Sequence, residues 1–427
     1  MDLYGNSVYL LENQCKGCTN CIKHCPTQAI RVRNGKAVIS TEKCIDCGEC
    51  IRICPHHAKK AKRGFIDAIN NYDYSVALPA PALYGQVNHL EDVNILLTAL
   101  KAMGFDDVYE VSAAAEIISR ESREYITSHR EKWPIISTAC PTVVRLIQVR
   151  YPDLMDNLLP LITPAELAAR QARARAVERT GLPPERIGIF FISPCPSKVT
   201  AAKSPIGYKH SDIDCVLAIK DLYPILVSTM GEVADHPEDL AISGKIGISW
   251  GITGGEAGGL LSDAYVAADG IENIIRVLED LEDDKFSSDL EFIELNACNG
   301  GCVGGVMTVE NPFAAKAKMQ ALRKYMPVSA THNVKTYPYD AEWTDNVEYM
   351  PVFELADNLK DSMAKMSEIE ALCKELPGLD CGCCGAPTCR ALAEDVTRGV
   401  AKKSDCSYVL REYLHKLTDD FHELNQI

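Results

Sequence analysis

From about residue 74 to residue 300, short apolar runs alternate with longer stretches whose apolar positions recur every three or four residues. The short runs at 75–78, 108–111, 133–138, 187–192, 214–218, 244–249 and 292–295 read as strands. The amphipathic stretches at 93–103 and 114–127 read as helices. Strands alternating with helices predict a parallel sheet covered on both faces, hence an α/β domain. Before it, the two-residue alternation of Ile30 and Val32 and the apolar pair Val38 and Ile39 predict small hairpins. After it, Leu410, Leu414, Leu417, Phe421 and Leu424 step by four and three residues, an a/d seam of about two heptads. That seam serves either to pack on its own domain or to pair with a second copy of the chain or a signalling partner.

Composition narrows the function classes. The 427 residues suffice for two or three domains, and 47% hydrophobic with 24% charged residues is ordinary for a globular chain. A net charge of -15 argues against a nucleic-acid surface. No apolar run reaches membrane-spanning length and no secretory signal pattern opens the chain, so the expected compartment is the reducing cytoplasm, with no membrane association. There, nineteen cysteines imply metal or redox cofactors rather than disulfides.

The first sixty residues carry a duplicated motif: Cys15, Cys18, Cys21, Cys25 and Pro26, then Cys44, Cys47, Cys50, Cys54 and Pro55. Each copy is C-x2-C-x2-C-x3-C-P, the two-cluster ferredoxin spacing, in which a tight loop turns three thiolates onto one cubane and the fourth crosses to the other. Cys15, Cys18, Cys21 and Cys54 are expected on one 4Fe-4S cluster, and Cys44, Cys47, Cys50 and Cys25 on its partner. Paired zinc ribbons would leave the proline after each fourth cysteine without a role. His56, His57, Lys59, Lys60, Lys62 and Arg63 read as a solvated linker. The expected division is a two-cluster ferredoxin domain at 1–63, a parallel-sheet domain at 64–360 and a small, mostly helical iron-sulfur domain at 361–427.

A second set of cysteines is scattered: Cys140 in Thr138-Ala139-Cys140-Pro141, Cys195 in Ser193-Pro194-Cys195-Pro196-Ser197-Lys198, and Cys298 and Cys302 in the run from Glu294 to Gly305. Each lies just past an expected strand, where open α/β sheets place their sites. These three loops, in this order, resemble those of the FeFe-hydrogenases, T-S-C-C-P, M-P-C-x-x-K and E-x-M-x-C-x-G-G-C, and the resemblance spans about residues 74 to 330. It implies a catalytic H-cluster: a 4Fe-4S cubane on Cys140, Cys195, Cys298 and Cys302, joined through Cys302 to a two-iron unit with carbon monoxide, cyanide and a dithiolate amine. Lys198 matches the family lysine that hydrogen-bonds an iron cyanide. The implied substrates are dihydrogen and protons, and the implied partners are hydrogenase maturation proteins and a redox or signalling protein.

The chain departs from that pattern at specific residues. Ala139 replaces the cysteine that relays protons, Ser193 and Asn296 replace methionines that line the cluster, and Ala201 stands where a glutamate often follows the lysine. Glu116, Glu121 and Glu124 lie on the helix before the first loop, where proton-path carboxylates occur in the family. The departures match the divergent, sensory-type members and imply slow turnover. Near the C-terminus, Cys381, Cys384, Cys389 and Cys406 form a third cluster motif, with a helix between Cys389 and Cys406 returning the last thiolate and Cys383 a bystander. Cys215 and Cys373 read as buried thiols. Two other functions remain on the sequence: a Nar-type assembly protein that keeps the cubane without the two-iron unit, and a plain electron-transfer subunit.

Overall fold

The computed structural model describes residues 5–424, which divide into two compact units. One unit is discontinuous: it takes in Val8–Cys44, Glu49–Lys60 and Met350–Ile427. Its strands are β1 (Val8–Leu10), β2 (Ile30–Arg33), β3 (Lys36–Ile39) and β4 (Lys59–Ala61). β2 and β3 form the expected antiparallel hairpin, with Ile30 opposite Ile39 and Val32 opposite Ala37, and β1 pairs with β4. The supposed linker is thus a strand: Lys59 is only 2% exposed. Its misreading has a physical cause, because two adjacent lysines read as solvated whenever the pocket that takes one of them is invisible. In the same unit the helix Leu359–Glu375 packs on the helix Cys389–Thr397. The latter ends nine residues short of Cys406, and a turn through Gly399 and a 3-10 segment at Lys403–Asp405 complete the return.

The two ends of the chain are clamped together inside this unit. Asp395, 7% exposed, accepts from the Arg31 guanidinium at 2.7 Å and from Arg33 at 2.6 Å. The Val32 amide donates to Gly385 O at 2.8 Å. A Cβ on Gly385, whose φ is +82°, would sit 2.0 Å from Val32 O, so this contact demands glycine.

The other unit, mainly Ala61–Tyr349 with Ile45–Gly48 and the chain up to Ser7, holds β5 (Tyr74–Pro79), β6 (Asp107–Val108), β7 (Ile135–Ile136), β8 (Ile187–Ser193), β9 (Cys215–Ala218), β10 (Tyr265–Asp269) and β11 (Phe292–Asn296). Two parallel sheets result, ordered β6-β5-β8-β9 and β10-β11-β7. β8 is buried along its whole length and β5 over five of its six residues, as expected of strands covered on both faces. The fold is the mixed α/β architecture expected.

Two strand expectations fail. Residues 244–249 form no strand: Lys245–Ser249 is a short helix laid on the helix Val111–Ser128, where a Cβ on Gly247 would meet Ser112 O at 2.0 Å. Close helix packing, not sheet formation, explains this glycine-spaced apolar run. The run at 108–111 is a strand only to Val108, because Val111 already opens the helix Val111–Ser128. In this unit one strand, β10, was missed.

Candidate iron-sulfur and active site

The three loops that carry the scattered cysteines leave the carboxyl ends of strands from both sheets: Cys140 follows β7, Cys195 follows β8, and Cys298 and Cys302 follow β11. Pro141 and Pro196 each occupy the first turn of the helix that starts after the cysteine, where a missing N–H costs nothing. Glycines bring the loops together. A Cβ on Gly305 would lie 2.2 Å from Pro194 O, and one on Gly301 2.6 Å from the Thr253 amide, so the Cys302 segment seats directly on the Cys195 loop and on the Gly251–Gly255 turn.

The thiols meet in a desolvated place. Burial pushes the Cys302 thiol up to about 12, with the Cys140 charge adding and Lys198 opposing. Burial also pushes Cys195 up to about 11, again with Cys140 raising and Lys198 lowering. Cys140, Cys195, Cys302 and Lys198 therefore lie within one another's electrostatic reach, and a 3.1 Å bond from the Gly301 amide to Cys298 O ties Cys298 to the same turn. Desolvated thiols such as Cys195 and Cys302 are poor anions until iron arrives, so this donor set fits an iron-sulfur core that draws thiolates to it. Among the described residues no three Cys, His, Asp or Glu are placed to hold a single metal ion. A cubane takes each thiolate on a different iron, so its ligands surround a volume rather than meet at a point.

The flanking residues are placed as follows. Lys198 Nζ donates to Ala139 O at 2.8 Å. The Ser193 hydroxyl bonds the Cys195 backbone, accepting from its amide at 3.2 Å, which stiffens the loop. Asn296 Nδ2 donates to Glu294 at 2.7 Å. Ala139 presents a methyl group, and its amide donates to the Ser137 hydroxyl at 3.2 Å.

Behind Ala139 sits a feature with no assigned role in the sequence reading, two buried carboxylates. Ser137 donates to Glu256 at 2.6 Å, and Glu256 is pushed up to about 8 by burial and by the neighbouring Glu294. Glu294 is also raised by burial, but it accepts from the amides of Gly254 and Ala257 and from Asn296. Glu294, with more donors bonded to it, carries the charge and Glu256 the proton. Glu294 stands in the quoted third loop, and Glu256 follows the Gly251–Gly255 turn, so both positions were visible while their contact was not. Glu116, by contrast, is a staple: buried, it accepts from the Gly244, Ala330 and Thr331 amides and the Ser329 hydroxyl. Glu121 accepts from Tyr339, and Glu124 is exposed.

In the discontinuous unit, the Cys21 thiol is raised by burial, with Cys18, Cys15 and Cys54 adding to it. Cys50 is raised by burial and by Cys44, with Cys25 also contributing. Cys54 thus lies within electrostatic reach of Cys21, and Cys25 of Cys50. The fourth cysteines also accept backbone N–H bonds, Cys25 from Ala29 at 3.2 Å and Cys54 from Ala58 at 3.3 Å. At the C-terminal motif, Cys384 is raised by burial, with Cys406 and Cys381 nearby, and Cys383 lies exposed beside Cys381.

The iron-only hydrogenase large subunit, C-terminal domain, matches residues 73–265 and 256–306, more than half of the chain and all four scattered cysteines. The chain belongs to this family. A 4Fe-4S dicluster domain matches residues 7–55 and an Fe-S cluster segment matches 376–408. Iron hydrogenase 1 of Clostridium pasteurianum is 24% identical over 357 residues, 68% of this chain and 62% of that protein. The periplasmic Fe hydrogenase large subunit of Nitratidesulfovibrio vulgaris is 25% identical over 70% of this chain and 85% of its own length. The cytosolic Fe-S cluster assembly factor NAR1 of Candida dubliniensis is 22% identical over 34% of this chain and 27% of its own. The chain spans 62% and 51% of the first two hydrogenases it matches. Among solved structures, an FeFe-hydrogenase from Chlamydomonas reinhardtii aligns with a TM-score of 0.45 and 17% identity, over 60% of this chain and 87% of that one.

Proposed function

We propose that this hydrogenase-family chain interconverts dihydrogen with protons and electrons, slowly and in a sensory role, at an H-cluster held by Cys140, Cys195, Cys298 and Cys302. The observation that carries the reading is the convergence of Cys140 and the desolvated Cys195 and Cys302 on Lys198, at loops whose spacing is the family's own. When bound, the six-iron group supplies an open iron position for dihydrogen, an amine base and a one-electron sink. The chain's residues supply the rest. The four thiolates anchor the cubane, the Lys198 ammonium offsets their charge, and the packed glycine turns keep water out.

Proton handling is where this chain differs. Glu256 holds a proton at neutral pH, and Ser137 carries the hydrogen-bond chain to the Ala139 amide. There the path meets a methyl group, and an amide is no acid-base relay, so proton delivery limits the rate. Electrons would travel through the clusters of the two ferredoxin motifs and the C-terminal motif, giving three 4Fe-4S clusters beside the H-cluster. A redox or signalling protein would receive them.

Infrared spectroscopy of protein loaded by hydrogenase maturation enzymes tests the reading. Bands of iron-bound carbon monoxide and cyanide are expected, with hydrogen uptake above background. Intact cubanes with a blank spectrum would leave an assembly or electron-transfer role, which the weaker NAR1 similarity favours.

A further inference from the structure

The duplicated motif is not symmetric at one buried position. Counting from the fourth cysteine, Cys25-Pro26-Thr27-Gln28-Ala29-Ile30 aligns with Cys54-Pro55-His56-His57-Ala58-Lys59. Ile30 and Lys59 are equivalent, each opens a strand, and each is 2% exposed. The isoleucine joins the apolar core of the motif with Val8, Ile22 and Ala37. At the equivalent place the chain puts an ammonium group. Among the described residues Lys59 Nζ is fully buried and has no hydrogen-bond partner. An unpaired buried cation is strongly destabilising, so a protein that keeps one has a partner for it.

Cysteines of both motifs lie within reach of its charge. Burial raises the Cys21 thiol and Lys59 pulls it back, and Lys59 likewise opposes the rise at Cys50. A 4Fe-4S cluster on four thiolates is a net anion whose charge grows by one on reduction. We infer that Lys59 is a redox-tuning residue: its ammonium takes the anionic cluster of the Cys15, Cys18, Cys21 and Cys54 set as its missing counter-charge, and thereby raises that cluster's reduction potential. This rests on the iron-sulfur reading above, not on dihydrogen chemistry. The step concerned is a one-electron reduction in which no bond is made or broken and no proton moves. A fixed positive charge stabilises the more negative reduced state more than the oxidised one. Lys59 is the largest charge acting on Cys21 but ranks behind Cys44 at Cys50, and Ile30 adds no charge of its own, so the two clusters differ in potential and an electron rests preferentially on the cluster of the Cys21 set.

The test uses the full chain with its cubanes reconstituted and without the two-iron unit. Electron paramagnetic resonance during a dithionite titration reads each cluster's midpoint. In Lys59→Met, which keeps volume and removes charge, the midpoint of one ferredoxin-motif cluster is expected to move to lower potential, and Lys59→Arg is expected to keep it near wild type. Unchanged midpoints in Lys59→Met overturn the inference. A second readout is independent of loading: after iron is stripped, Lys59→Met should unfold at a higher temperature than wild type, since the orphaned cation is gone. Equal stabilities in the stripped state also overturn it. Missing carbon monoxide and cyanide bands in the infrared experiment would remove the hydrogenase function and leave this result standing.

Discussion

Glu256 shows how a single side chain ties burial to pH. Its carboxyl is pushed up to about 8, by burial first and by Glu294 second, whereas in the unfolded chain it ionises near 4.5. Between those values the folded protein holds a proton that the unfolded protein has released, so stability falls as pH rises and levels off above about 8. In Glu256→Gln that slope should flatten. The variant should melt close to wild type at pH 5 and higher than wild type at pH 9, by a margin worth a few kcal/mol at most, with thermal unfolding followed by circular dichroism. A parallel pH response in the two proteins would mean that Glu256 is ionised throughout. Because the amide form cannot release a proton, hydrogen turnover of the loaded protein should fall by about 10²-fold in the same variant. Lys198 makes a complementary case. Replacing it with alanine removes both the bond to Ala139 O and the cation that opposes the raised Cys195 and Cys302 thiols, so iron bound at the central site should drop while iron in the ferredoxin motifs stays, as measured by iron analysis and cubane absorbance.

At the scale of elements, what could be read in the sequence depended on how many neighbours an element needs. β5, β8 and β11 are short apolar runs buried on both faces, and periodicity alone found them. β10 escaped because its five residues are only half-buried and it pairs on one side, with β11. The helix Lys245–Ser249 was misread because Ile246 and Ile248 fit a strand equally well, and only its seating against Ser112 and Glu116 makes it helical. The cysteine spacings carried the sites, since they are local. Glu256 against Glu294, and Lys59 against the cysteines, were hidden because each needs a partner brought in by the fold. The glycine turns carry their own prediction. In Gly305→Ala the new Cβ would lie 2.2 Å from Pro194 O, a backbone atom that cannot swing aside. The Cys302 turn must back off the Cys195 loop, and the central site should lose its iron while the ferredoxin-motif clusters remain, in iron counts and in the resonance spectrum of the reduced protein.

For the whole molecule, the discontinuous unit makes the first sixty residues and the segment from Met350 onward depend on each other. Asp395 satisfies Arg31 and Arg33 at once, Arg33 also donates to Cys384 O at 3.2 Å, and Lys43 lies 5.0 Å over the Phe353 ring. The terminal helix Ser407–Leu424 behaves differently. Leu410, Leu414 and Leu417 are 44%, 55% and 64% exposed, so the apolar seam that the sequence reading divided between its own domain and a partner finds no cover in the described part of this chain. Two truncations separate these contributions. The side chains of Phe421 and Leu424 lie outside the described residues; ending the chain after residue 410 removes the exposed Leu414 and Leu417, so the melting temperature of dilute protein should shift by no more than about 0.5 kcal/mol of stability implies. Ending it after residue 349 strips two arginines of their buried carboxylate and Val32 of its partner at Gly385. The ferredoxin-motif clusters, whose own cysteines are all retained, should then lose iron several-fold faster under a chelator, seen as bleaching of the sulfur-to-iron absorbance. If the longer truncation released iron no faster than the shorter one, the clamp would contribute nothing to the clusters, and the C-terminal segment would be a passenger on the unit rather than part of what keeps it closed.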